Sequence, residues 1–298
     1  MGKQGRKKEG LSSWGLLILG FVIGVAFVLA LLRFGGLDLG GPEPVKKPFV
    51  KAVPSGPAPD KTAEPVPAPP EQRPVQPDYP RVAIVIDDMG PDLNKLRELI
   101  GIGGPVTVAV MPHQRYSKET ADEAYANGLD VLMHLPMEPK DTGVNNPGKG
   151  ALLVAMTPRE VRARMVEDFE TVPHAIGINN HMGSRFTENE PLMREVLDVL
   201  RTRELFFLDS RTTSRSVAGK LAREMGVRNL DRNVFLDNNR DVAYIKRQLS
   251  EAARIAKKNG AAVAIGHPYP ETIQALRESV PGLEAAGIRV VRLSELVD

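Results

Sequence analysis

The chain of 298 residues contains no cysteine, one tryptophan and only 5% aromatic residues. The absence of cysteine excludes a disulfide scaffold, a thiolate zinc site and a cysteine nucleophile. An excess of either charge is also missing, since 39 Lys+Arg face 37 Asp+Glu for a formal net charge of +2. A nucleic-acid binder needs a basic face to neutralise phosphates, so no nucleic-acid partner is expected. No repeat at a fixed short period is evident, and nothing in the pattern specifies a protein partner. The length allows one large domain or two ordinary ones with attached segments.

What is present is distributed unevenly. Residues 1–13 carry Lys3, Arg6, Lys7 and Lys8 against Glu9 alone. From Trp14 to Leu32 nineteen residues pass without a charge. At the helical rise this run spans about 28 Å, close to a bilayer hydrocarbon core. A cleaved signal peptide has a shorter apolar region, and the bulky Leu31-Leu32-Arg33-Phe34 that follows is no cleavage site. A buried core helix would show a polar face. The reading is a single membrane anchor over 14–34, with the basic flank held in the cytoplasm and the remainder sent outward. A linker over 35–80 follows, with thirteen prolines between Pro42 and Pro80. Such a stretch cannot bury enough apolar surface to offset its ordering entropy, and reads as an extended spacer. Ten basic and seven acidic residues fall in 1–80, leaving 29 against 30 over 81–298. Those 218 residues read as one domain.

Within that domain short apolar runs recur: VAIVID (82–87), VTVAV (106–110), DVLMHL (130–135), AIGIN (175–179), LFFLDS (205–210), NVFLD (233–237), AAVAIGH (261–267) and IRVVRL (288–293). Their continuous apolar character suits strands covered on both faces, as in parallel sheets. Amphipathic helical patterns lie between them. Thr157-Pro158-Arg159-Glu160 reads as a capping box opening a helix. Pro191 to Leu200, Arg215 to Met225 and Val242 to Lys258 read as further helices, the last capped by Asn259-Gly260. Strand–helix alternation predicts a parallel sheet, and eight runs suit a (β/α) barrel better than an open sheet. Pro139 to Met156, rich in Gly and Asn, is expected to form a loop over the site.

In parallel α/β folds the site lies at the carboxyl ends of the strands. Asp87-Asp88 ends the first strand, His113 follows the second, His134 the third and His181 the fourth. Asp209 ends the fifth, Asp237 the sixth and His267 the seventh. Four of the five histidines are therefore expected on one face, with His174 outside it in a structural role. Imidazoles beside a carboxylate make a site for zinc or a related divalent cation. One aspartate of the Asp87-Asp88 pair can bind the ion while the other takes a proton from water. The plainer reading of Asp88 to Asp92 is a turn with a helix cap.

These residues resemble the polysaccharide deacetylases, and most closely their divergent branch. VIDDMG matches the family string T-F-D-D-G, which implies Asp87 as catalytic base and Asp88 as metal ligand. His134-Leu135-Pro136-Met137-Glu138 keeps the spacing of the family's H-[ST]-x-x-H with Glu in the second ligand position. Either Glu138 is a ligand or a histidine from elsewhere completes the site, with His181 in GINNHMGSRFT the candidate. HLPMEP, FLDSRT and IGHPYPET resemble further strings of the divergent branch. The last implies His267 as general acid, and Asp209 stands where a supporting carboxylate would orient it.

The resemblance covers 81–298 and implies a distorted (β/α) barrel of seven or eight parallel strands. It also implies a metal-dependent hydrolase that removes N-acetyl or O-acetyl groups from a cell-envelope carbohydrate. Zinc is the first choice of cofactor, and Asn180, Ser184 and Arg185, together with Asn179, are expected to line the sugar site. A tight turn at Asn179-Asn180 is the competing reading. With the anchor, this predicts a single-pass protein of a bacterial inner membrane whose domain stands in the periplasm. Few aromatics follow Arg81, which suits a short or unusual glycan. Two other readings remain open. One is a non-catalytic tethered protein that binds a glycan or partner, to which the departure at Glu138 gives substance. The other is a glycosidase with Asp209 and Asp237 as paired carboxylates.

Overall fold

The structure, a computed structural model, describes residues 79–297; the basic N-terminus, the expected anchor and nearly all of the linker lie outside them. Among the described residues no helix is long and apolar enough to cross a membrane. The strands are β1 (Arg81–Met89), β2 (Val106–Val110), β3 (Asp130–Met137), β4 (Ala175–Met182), β5 (Phe206–Asp209), β6 (Asn229–Asp231), β7 (Val234–Phe235), β8 (Ala261–Gly266) and β9 (Arg289–Val291). The helices between them are α1 (Leu93–Ile100), α2 (Ser117–Ala126), α3 (Pro158–Thr171), α4 (Glu190–Thr202), α5 (Ala218–Glu224), α6 (Val242–Asn259) and α7 (Pro270–Ala285).

Every strand pair is parallel, in the order β6-β5-β4-β3-β2-β1-β8-β7, with β9 on β1. The two ends of this order are consecutive in the chain. At the corner between β6 and β7, the Arg232 N–H donates to the Asp209 carbonyl of β5 at 3.0 Å and the Asn233 N–H to the Val263 carbonyl of β8 at 2.9 Å. The Val263 N–H donates to Asn233 Oδ1 at 2.7 Å. β6 and β7 therefore act as one bent stave, paired to β5 by its first half and to β8 by its second. The sheet curls into a distorted barrel. The expected strand 233–237 shortens to two residues, and the preceding Asn229–Asp231 pairs although it lacks an apolar run. The final run contributes three residues that pair β1 at Arg81 to Ala83, so it is peripheral.

Strand parity separates two apolar layers. Val82, Ile84, Ile86, Val108, Met133 and Leu135 face the helices, where Leu96, Val161, Leu197, Leu249 and Leu276 cover them. Ala83, Val85, Leu132, Phe206, Leu208, Val263 and Ile265 face one another inside the barrel. Burial on both faces is why the strands read as unbroken apolar runs. The helices open and close on the expected devices. The Glu160 N–H donates to Thr157 Oγ1 at 3.3 Å while the Thr157 N–H donates to Glu160 Oε2 at 2.7 Å. α6 ends on Gly260 in the left-handed region, φ 86°, and Asp92 caps α1.

The segment 139–156 is irregular, and it is pinned at both sides. The Leu152 N–H donates to the Pro136 carbonyl, and the Glu138 N–H to the Leu152 carbonyl, each at 2.9 Å. Further along, Gly150 (φ 86°) lies against a pair formed by His113 Nε2 and Asp168 Oδ1 at 2.7 Å. A Cβ at Gly150 would stand 2.6 Å from Asp168 Oδ1 and 3.0 Å from the His113 ring. Gly150→Ala combines that clash with an unfavourable φ. It should cost about 2 kcal/mol and lower Tm by about 4–8 °C in a thermal melt.

Asp168 is fully buried, and its Oδ2 has no hydrogen-bond partner. Burial lifts its carboxyl from 3.8 to about 8. Burial, then Lys149 and Arg164, lowers His113 below its ordinary 6.5. Between pH 6.5 and 8 the folded chain keeps a proton on Asp168 that the unfolded chain has released, so stability falls across that window by about 2 kcal/mol. Below pH 6.5 the depressed imidazole acts with the opposite sign and offsets the carboxyl. Asp168→Asn should flatten the fall between pH 6.5 and 8 in denaturant titrations; an unchanged slope would remove Asp168 as its source.

Candidate metal and catalytic centre

The inner face of the barrel continues upward into polar residues. Asp87 follows Ala83 and Val85 in parity, His134 follows Leu132, and His267 follows Val263 and Ile265. The β3–β4 register sets Asn179 opposite His134 and His181 opposite Pro136, so both β4 side chains point to the same side as His134. Asp88 has the wrong parity for that side. The ladder between β1 and β2 slips between Ile86 and Met89, and Asp88 takes a left-handed φ of 57°. This bulge turns the chain so that two adjacent carboxylates serve one rim.

His181 Nδ1 lies 2.9 Å from Asp88 Oδ1 and 3.2 Å from His134 Nε2, and His134 Nε2 lies 3.3 Å from Asp88 Oδ1. Asp88 Oδ1 is buried without a hydrogen-bond partner. Donor atoms bound at 2.0–2.1 Å in a tetrahedral site are about 3.3 Å apart. The three groups thus form a possible Asp/His/His metal site, and the orphaned oxygen is the atom such an ion would satisfy. The other nitrogen of His134, Nδ1, meets Asn179 Oδ1 at 2.8 Å, which fixes the tautomer that leaves Nε2 free. The Asn179 amide then donates to Asp87 Oδ1 at 2.8 Å and to Ser210 Oγ at 3.2 Å.

The electrostatics are those of a site that requires positive charge. Burial opposes the charged ring of His134, yet Asp87 and Asp88 lift it to about 9. Burial works upward on Asp88 too, but the close imidazoles of His134 and His181 hold it far below the usual carboxylate range. Asp87 is raised by burial despite His134 and His267. Protons on imidazole or a divalent cation answer the same demand.

His267 closes the far side, with Nε2 3.8 Å from Asp88 Oδ2. Its Nδ1 meets Asp237 Oδ1 at 3.0 Å, and its backbone N–H donates to Asp237 Oδ2 at 2.6 Å. The Thr272 hydroxyl donates to the same Oδ2 at 2.8 Å. Burial lowers the imidazole, but Asp237 and Asp87 raise it above its ordinary value.

Three sequence expectations need correction. Asp209 does not orient His267: its parity on β5 is opposite to Phe206 and Leu208, and its oxygens accept from the Ser216 hydroxyl and the Arg211 N–H. Asp237 is the orienting carboxylate, from the neighbouring stave. Asn180 does not line a sugar site, because strand alternation sends it to the other face. There its amide donates to the Met182 carbonyl at 2.8 Å and its Oδ1 accepts from the Ser210 N–H at 2.9 Å. His113 does not join the other rim histidines, being held by Asp168 and the Thr171 hydroxyl.

Glu138 lies outside the three-donor cluster and accepts from the Val154 N–H at 2.6 Å and from Arg185 Nη1 at 2.7 Å. Arg185 and Ser184, which accepts from the Lys140 N–H at 3.0 Å, thereby fasten the irregular segment to the end of β4. His174 stacks on Tyr125 and meets Asp122, away from the rim. The supports that sequence reasoning missed are Asp237, Ser210 and Thr272. Parity along each strand was the available signal for Ser210.

Residues 84–297 match the model of the divergent polysaccharide deacetylase family, and the chain belongs to that family. An uncharacterized protein of Haemophilus influenzae is 40% identical over 203 residues, covering 68% of this chain and 72% of its own length. The uncharacterized protein YibQ of Escherichia coli K12 is 36% identical over 218 residues, covering 73% and 67%. The crystal structure of the uncharacterized protein ATU2773 from Agrobacterium tumefaciens superposes with a TM-score of 0.70 at 26% identity, covering 74% of this chain and 89% of that one. The fold is deacetylase-like.

Asp237→Asn keeps an acceptor for His267 Nδ1 but removes the charge, and should lower the imidazole pKa in an NMR titration of the metal-free protein. Asp209→Asn should leave that pKa unchanged. The reverse pattern would return the orienting role to Asp209.

Proposed function

We propose that the protein is a metal-dependent hydrolase that removes N-acetyl, or O-acetyl, groups from a cell-envelope carbohydrate. The observation that carries this reading is the convergence of Asp88 Oδ1, His134 Nε2 and His181 Nδ1 within 2.9–3.3 Å. Asp87 stands beside the three donors and His267 across from them. Asp88, His134 and His181 would hold the ion, and their nitrogen and oxygen donors favour zinc. A bound ion polarises the acyl carbonyl and makes water a stronger acid.

The chain's own groups do the rest. Asp87 is fixed by the Asn179 amide and raised by burial, and it takes a proton from the attacking water. His267 is raised above its ordinary pKa by Asp237 despite burial, with Nε2 facing the rim, and it gives a proton to the departing amine or alkoxide. Asn179 couples the two sides, since one amide orients both the base and a ligand.

The departure at Glu138 that suggests a non-catalytic protein is offset by His181, which offers a third donor in its place. A glycosidase pair is disfavoured because the oxygens of Asp237 and Asp209 are engaged by neighbouring donors. Sequence alone supports the remaining parts of the proposal: a single-pass anchor in a bacterial inner membrane and a periplasmic domain.

Asp88→Ala should abolish stoichiometric metal in elemental analysis and reduce acetate release from acetylated oligosaccharides at least a thousandfold. Chelation should silence the wild type, with zinc restoring it. A variant that keeps one ion per chain would refute the ligand assignment.

A further inference from the structure

His267 stands between two aromatic rings, with Phe235 of β7 and Tyr269 at the start of α7 each at a centroid distance of 5.4 Å. Each ring carries an arginine. The Arg232 guanidinium lies 5.1 Å from the Phe235 centroid, and that of Arg240 lies 3.6 Å from the Tyr269 centroid. Among the described residues neither arginine has a carboxylate within ion-pair distance, although even the nearby Arg211 leans on Asp209 at 3.9 Å. Arg162, Arg194 and Arg254 on the outer helices are each paired with a carboxylate, whereas Arg247 of α6 rests on the Tyr244 ring.

Arg232 is half-buried. Its Nε donates to the Ser210 carbonyl at 2.7 Å and its Nη2 to the Arg211 carbonyl at 3.1 Å. These bonds fix the side chain without a direct ion pair, and the charges of Asp209 and Asp87 act on it only from farther off. Burial accordingly lowers its pKa. Arg240 is exposed in the turn that follows Asp237, with its guanidinium carbon over the Tyr269 ring. Stacking of this kind holds the plane of an arginine while leaving its N–H fork open to a planar or tetrahedral anion.

We propose that the glycan is acidic, and that Arg240 receives an anionic group on the sugar beside the one that carries the acyl group. This rests on the deacetylase reading. The anion lies one aromatic ring's breadth from His267, beyond Tyr269, so it selects the substrate and takes no part in the acyl chemistry. Arg240 then acts on KM and on discrimination between substrates.

Kinetics on three acetylated oligosaccharides of one length, neutral, carboxylate-bearing and phosphate-bearing, test the proposal. The wild type should favour at least one acidic oligosaccharide about tenfold in kcat/KM, with the preference shrinking as salt is added. Arg240→Gln should cancel that preference through KM, and Arg240→Lys should keep part of it. Arg247→Gln, the same loss of charge on α6, should retain it in full. Equal kcat/KM for all three in the wild type, or an equal fall for all three in Arg240→Gln, would overturn the proposal. If none of the three is hydrolysed, the deacetylase reading fails, and calorimetry with the same oligosaccharides decides the charge question. Tighter binding of an acidic one that is lost in Arg240→Gln supports it, and equal binding of all three overturns it.

Discussion

The arrangement at the rim depends on bringing two neighbouring carboxylates to one side of a strand. Adjacent residues of an extended chain diverge, and like charges at close range repel. Both difficulties are met at β1. The slip after Ile86 and the left-handed Asp88 turn the second carboxylate back, and the imidazoles of His134, His181 and His267 supply the opposing charge. Without the bulge Asp88 would face the helices, where Ile84 and Ile86 already lie, and no three-donor cluster would exist. The local backbone strain of about 1–3 kcal/mol therefore serves the site.

The ordering of the site follows from a single side chain. Asn179 touches an imidazole of the proposed metal site, the proposed base and a hydroxyl on the next strand. A carboxamide suits this post because it offers an acceptor and donors at once, so a neutral imidazole N–H and a carboxylate can both be answered. A carboxylate there would add a third negative charge beside Asp87. Fully paired buried networks of this kind hold one geometry, which is what proton transfer at a fixed distance requires.

Much of the fold was legible in the chain. Apolar runs flanked by capping signals marked eight of the nine strands and four of the seven helices, and the histidines and aspartates at strand ends pointed to one rim. The failures share a cause. Asp209 and Asn180 were placed by proximity in sequence, whereas strand parity sends both away from the barrel interior and sends Ser210 toward it. Asp237 was underrated because its partner strand could not be read locally. The chain crosses from β5 to the edge of β8 at the corner Arg232-Asn233, and no periodicity announces that jump. β6 was missed for the same reason, since Asn229-Leu230-Asp231 pairs by position and not by apolar content.

That corner has a mechanical meaning. The proposed ligands, base and acid hang on the arc β4-β3-β2-β1-β8, in which every neighbouring pair of strands is hydrogen-bonded. The seam where the cylinder meets itself lies on the opposite side, and only auxiliary groups flank it. Slippage at the joint would re-phase Phe235 and Asp237 while leaving the reacting atoms in mutual register, so the barrel tolerates its weakest closure where misalignment does least harm.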